Sequence, residues 1–141
     1  MGMKVKFFFT AIIFLLCVAV FPAAAQPSDT IAPPSWIHGT WKYIEKPYGG
    51  EGDEEEFTIT FTADNIIFDG ESLSSIIEAG TVVMFTQKAQ SSSYELYVHY
   101  ADGFWWLETF EKPAARASSM RSTYETADGQ TGEEVYTRSN S

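Results

Sequence analysis

From residue 36 onward, apolar and polar side chains alternate in short runs. A period of two over four to eight residues predicts strands rather than helices. The clearest run sets Phe57, Ile59 and Phe61 against Thr58, Thr60 and Thr62. That pattern gives one apolar face for a core and one threonine face for solvent. A second run sets Tyr94, Leu96, Val98 and Tyr100 against Glu95, Tyr97 and His99. Further runs cover 40–45, 65–68, 82–87, 104–111, 118–126 and 133–138. Turn residues separate them: Ala63-Asp64, Asp69-Gly70, Ala101-Asp102-Gly103 and Asp128-Gly129. Residues 71–80 break the alternation. Glu71-Ser72 can cap a short helical turn through Leu73, Ile76 and Ile77, ended by Gly80, and an irregular strand is the alternative. Eight strands with short connections pair antiparallel with their sequence neighbours. The expected fold is therefore all-β, an antiparallel up-and-down eight-stranded barrel in a single domain. Closure removes the two bare edges that such a sheet would otherwise carry. The rival is an open sandwich or a partly closed sheet.

The N-terminal stretch follows different rules. Lys4 and Lys6 precede a nearly unbroken apolar run from Phe7 to Phe21, Pro22 ends it, and Ala23-Ala24-Ala25 offers a small-residue cleavage site. Residues 1–25 read as a signal peptide, too short and wrongly flanked for a comfortable membrane span. The expectation is a secreted protein, periplasmic or extracellular in a bacterium, with no stable membrane span after cleavage. Cys17 could carry a lipid, but Phe14-Leu15-Leu16 before it lacks the small residue such a site wants. Cleavage after Ala25 leaves no cysteine and hence no disulfide. Residues 26–35 form a Pro-rich arm, and 36–141 the barrel domain.

Charge narrows the partners. With Lys4 and Lys6 gone, the 9 basic residues become 7 against 19 acidic ones, a net charge near −12. Nucleic acid and anionic membranes reward basic patches, so both are expected to be absent as partners. The acidic run Glu51, Asp53, Glu54, Glu55 and Glu56 reads as a solvated loop. Its consecutive carboxylates point apart, whereas calcium needs oxygens converging on one point.

Gly39-Thr40-Trp41 opens the first strand just after the Pro-rich lead, and Arg138 lies on the last strand. This resembles the Gly-x-Trp signature of lipocalins and their calycin relatives, in a compact form lacking their C-terminal helix. The resemblance implies that Trp41 closes one end of the barrel with Arg138 packed over its ring. Gly39, Trp41 and Arg138 are then structural rather than ligand-contacting. Gly-Thr-Trp also begins the first strand of biotin-binding avidins, whose ligand residues find no match here.

The strand Phe104 to Glu111 carries the most chemistry. One face holds Phe104, Trp106, Glu108 and Phe110, and the other holds Trp105, Leu107, Thr109 and Glu111. Matching apolar faces with the next strand sets Phe110 opposite Met120 and Trp106 opposite Tyr124, which puts Glu108 inside beside Ser122. A buried carboxylate is costly unless satisfied, and an interior Glu among aromatics marks a wet cavity with a polar anchor. The opposite orientation would bury Trp105 and Leu107 and leave Glu108 in water.

Catalytic signals are absent from the pattern. His38 and His99 are the only histidines, no Ser sits in a nucleophile elbow, and no cluster has metal-ligand spacing. The expected function is noncatalytic binding of a small, largely apolar molecule, with no cofactor and no metal. Phe57, Ile59, Phe61, Trp106, Glu108 and Tyr124 are the expected lining, with Glu108 as polar anchor. The alternative is a solid-core interaction module, an inhibitor or envelope-associated adaptor, engaging a protein partner through Trp105, Tyr97 and the acidic loop.

Overall fold

A computed structural model describes residues 29–45 and 54–139. The expected signal peptide with Cys17, the start of the Pro-rich arm, and Glu51 and Asp53 of the acidic loop lie outside the described residues. Among the described residues, no helix is long and apolar enough to cross a membrane.

Among the described residues, nine strands form one antiparallel sheet: β1 (Gly39–Glu45), β2 (Glu55–Phe61), β3 (Ile66–Phe68), β4 (Glu71–Ser72), β5 (Val82–Ala89), β6 (Ser93–Tyr100), β7 (Trp105–Glu111), β8 (Ser119–Thr126) and β9 (Thr131–Arg138). A six-residue helix, α1 (Leu73–Glu78), separates β4 from β5. The order across the sheet is β4-β3-β2-β1-β9-β8-β7-β6-β5. Every neighbour pair is consecutive in sequence except β1 with β9, where Trp41 faces Arg138 and Lys42 faces Thr137. The first and last strands therefore meet in the middle of the sheet.

The sheet curls because its inward side chains seek one another. Phe61 on β2 packs edge-to-face on Phe110 of β7, with ring centroids 5.3 Å apart, although β1, β9 and β8 lie between those strands. Phe68 on β3 meets Trp106 of β7 the same way at 5.7 Å. Trp41, Phe61, Ile66, Phe85, Leu96, Val98 and Phe110 are buried in the space so enclosed.

The expected closed eight-stranded barrel is not what forms. The sheet is a nine-stranded half-barrel, open between β4 and β5. The cause lies in residues 71–80. Ser72 caps α1 by accepting the Ser75 amide on its side chain. The chain thus leaves the sheet after two paired residues, Glu71 and Ser72. Of the two readings of this stretch, the helix is correct, preceded by the two-residue strand β4, which the sequence pattern does not indicate. Leu73, fully buried, plugs the seam, with Ile76 and Ile77 packed on the core beside it.

The bare edge of β5 is covered from the N-terminal arm. The Asp29 amide donates to the Phe85 carbonyl at 2.8 Å, and the Gln87 amide donates to Asp29 Oδ2 at 2.9 Å. The Gln87 side chain reaches back, donating to the Thr30 carbonyl at 2.8 Å and accepting from the Ala32 amide at 3.1 Å. Ile31 is buried beneath this lacing.

At one end of the half-barrel a 3-10 turn, Ser35–Ile37, inserts the fully buried Ile37. The Trp41 indole N–H donates to the Ile37 carbonyl at 2.9 Å. The Arg138 guanidinium carbon sits 4.2 Å from the Trp41 ring centroid, and Nη1 donates to the His38 carbonyl at 3.0 Å. A cation over an indole face contributes roughly 0.5–2 kcal/mol. Gly39 adopts φ +123°, and a Cβ there would stand 2.9 Å from Arg138 Nη1. Only glycine admits both the backbone angle and the guanidinium.

Candidate functional site

Alternation along the strands decides which side chains meet inside. Arg138 lies over Trp41, so β9 also turns Tyr136, Glu134 and Gly132 inward and sends Val135 out, where it is 54% exposed. The same parity turns Tyr43 of β1 inward, two residues from Trp41. On β7, Trp106, Glu108 and Phe110 face inward, the orientation favoured by apolar matching.

The β7–β8 register differs from expectation by two residues. Phe110 pairs with Ser122, Glu108 with Tyr124, and Trp106 with Thr126, in place of Phe110 with Met120 and Trp106 with Tyr124. A slip of two keeps every side chain on its face, so burial alone does not distinguish the two registers. The β8–β9 hairpin makes room for the Tyr124 ring. It sets Tyr124 opposite Gly132, where a Cβ would fall 2.7 Å from the Tyr124 hydroxyl. The missing side chain of Gly132 is the space over which the Tyr124 ring lies.

Beneath the curled sheet is a cavity of about 330 Å³. Its walls include Phe57, Ile59, Phe68, Trp106, Tyr124 and Tyr43, and Glu108, Glu134 and Tyr136 contribute polar atoms. Thr126, Asp128 and Gln130, around the β8–β9 turn, also line it. Five of the six residues expected to line a pocket do so: Phe57, Ile59, Trp106, Glu108 and Tyr124. Phe61 does not. It is buried in the core, wedged between Tyr94 and Phe110 at centroid distances of 6.2 and 5.3 Å. Its place beside the barrel-end cluster, away from the β2 end that carries Phe57, sets it in solid packing.

Glu108 is 8% exposed, and Ser122 beside it is fully buried. The Ser122 hydroxyl donates to Glu108 Oε2 at 2.6 Å, and the Tyr136 hydroxyl lies 3.0 Å from the same oxygen. Tyr136 also contacts Glu134 Oε1 at 2.8 Å, which links two carboxyl groups through one phenol. Burial, reinforced by the Glu134 charge, pushes the Glu108 carboxyl up from its ordinary value to about 8, while the hydrogen bonds from Ser122 and Tyr136 pull the other way. Tyr136 is raised well above the ordinary phenol range, first by burial and then by the Glu108 and Glu134 charges. One phenol proton cannot satisfy two carboxylates at once. A proton on Glu108 resolves this, leaving Tyr136 to donate toward Glu134.

No protein family, curated protein or solved structure compared with this chain matches it. The site's chemistry therefore rests on its own geometry.

Tyr43, Glu134 and Tyr136 were not among the expected lining residues. A signal for them existed: once Trp41 and Arg138 are taken as facing partners, every second residue on both strands must share their face. The apolar Val135 and the charged Glu134 point the pattern the other way, and burial alone would have turned β9 over. Among the described residues, no group of three or more His, Cys, Asp or Glu is arranged to hold a metal ion. His38 Nε2 donates to the Pro33 carbonyl, 2.9 Å away, and His99 contacts Tyr97 on the outer face.

Proposed function

We propose that this is a secreted, noncatalytic binding protein that holds a small, largely apolar molecule within its half-barrel. The carrying observation is the cavity of about 330 Å³, walled by aromatic rings with a buried carboxyl on its floor. Pockets of this size with mostly apolar walls and few polar groups are how small-molecule sites are built. Glu108 serves as the polar anchor, and Trp106, Tyr124 and Phe57 supply the contact area. The lipocalin-like closure by Trp41 and Arg138 leaves that contact area free for ligand, since it occupies the buried end.

Native mass spectrometry of protein purified without detergent tests this reading. The expected result is a reproducible extra mass, lost on denaturation, or one taken up from a mixture of lipids and small molecules. Trp106→Ala should weaken that uptake and Trp105→Ala, on the outer face, should not. A clean mass after every incubation would remove the ligand-binding reading.

A second reading is favoured by one observation. On the outer face, Tyr97 lies 5.8 Å from Trp105 and 6.0 Å from His99 between ring centroids, all three only partly buried. Aromatic clusters at a surface favour protein contacts. An interaction module would lose its partner with Trp105→Ala and keep it with Trp106→Ala.

A further inference from the structure

Gly132 is a glycine that its own backbone does not require. Among the described glycines, Gly39, Gly70, Gly80, Gly103 and Gly129 adopt positive φ angles, and Gly132 does not. It lies within β9, in backbone that any residue adopts, and a glycine in a strand interior gives up both entropy and packing. What the position lacks is room for a side chain. A Cβ there would stand 2.7 Å from the Tyr124 hydroxyl, 2.9 Å from Cζ and 3.0 Å from Cε2. All three atoms belong to the far end of one side chain, so the ring, rather than the strand, would have to move.

The neighbours fix where it could go. Tyr124 and Gly132 are paired on the inner face of the sheet, and on its other side Tyr124 is paired with Glu108. Both Tyr124 and Glu108 line the cavity. A ring displaced from Gly132 therefore turns over Glu108 or lifts off the sheet, and both directions lead into the cavity. The cavity of about 330 Å³ has the volume of roughly 11 waters at ~30 Å³ each. The Tyr124 ring with its hydroxyl, about seven non-hydrogen atoms, would fill roughly a third to a half of that space.

We infer that Gly132 is a positioning residue that sets the size of ligand the cavity admits, by giving the Tyr124 ring a recess in the cavity wall. This rests on the ligand-binding reading above and adds the dimensions of the molecule. With the ring seated on Gly132, the space suits a fused bicyclic aromatic of about ten to twelve non-hydrogen atoms. With the ring displaced, only a single ring fits. The aromatic class follows from the Phe57, Phe68 and Trp106 walls, which offer edge-to-face and offset stacking.

The test measures binding of 2-naphthol and of phenol by NMR titration in wild type, Gly132→Ala, Tyr124→Ala and the double variant. Wild type should bind both, 2-naphthol more tightly. Gly132→Ala should weaken 2-naphthol about tenfold and phenol less than about twofold. In the Tyr124→Ala background the same Gly132→Ala change should leave 2-naphthol affinity unaltered, because no ring remains to be displaced. Tyr124→Ala alone should bind N-phenyl-1-naphthylamine, a larger neutral molecule, about tenfold more tightly than wild type does, which tests the size assignment even if Gly132→Ala fails to fold. Equal weakening of both probes in Gly132→Ala overturns the inference, as does the same weakening with and without the Tyr124 ring, since the glycine then serves β9 alone. No gain for the larger molecule in Tyr124→Ala overturns it too. Wild-type binding of 2-naphthol with unchanged affinity in Gly132→Ala sinks the size assignment and leaves the ligand-binding reading standing. A wild type that binds none of the three probes removes both.

Discussion

Glu108 shows how a single side chain can make stability depend on pH. In the unfolded chain its carboxyl titrates near the ordinary 4.5, and in the folded protein near 8. Between those values the folded state binds the extra proton. The stabilisation this brings is fully present below pH 4.5 and is lost as pH rises through 8. Wild type should therefore lose on the order of 2–4 kcal/mol relative to Glu108→Gln between pH 5 and pH 8.5. Urea unfolding of both proteins across that range measures the difference. Parallel stability curves would show that Glu108 ionises normally in the fold. The residue itself was legible in the sequence, because it interrupts an aromatic face with a charge. Its coupling to Glu134 through Tyr136 was not, since β7 and β9 are brought together only by β8 between them.

Two elements act through their ends rather than their middles. The N-terminal arm lies along β5 and satisfies the amide of Gln87 with the Asp29 carboxylate, which no alternation pattern in a Pro-rich segment could reveal. An uncovered strand edge invites pairing with another chain. Asp29→Ala should speed hydrogen exchange at the Gln87 amide by roughly tenfold, while the Leu96 amide within the sheet stays protected. Unchanged exchange at Gln87 would mean that the arm does not hold the edge in solution. The β8–β9 hairpin is the second such element. Its turn at Asp128-Gly129 was legible from the dipeptide, with Gly129 at φ +89°. The register of the neighbouring β7–β8 pair was not legible, because two registers bury the same faces.

At the scale of the molecule, α1 determines what kind of container this is. The eight longer runs would close on themselves, and the first and last strands do meet at Trp41 and Arg138. The seam opens on the other side, where Leu73 stands in for a strand pairing. Leu73→Ala should cost about 2–4 kcal/mol, since it leaves a hole where the sheet supplies no hydrogen-bonded neighbour. Chemical denaturation measures this, and a cost below about 1 kcal/mol would mean that the seam repacks freely. The eight longer strands and the clean apolar faces of β2 and β6 belong to the sequence alone, because a period of two is a local property. The sequence left the orientation of β7, and with it the burial of Glu108, open between two faces, and pointed β9 the wrong way. The open seam, the β7–β8 register and the linked Glu108–Tyr136–Glu134 group were decided by tertiary structure. Each depends on which distant strands come into contact, and that is set by the geometry of the curled sheet rather than by any run of neighbouring residues.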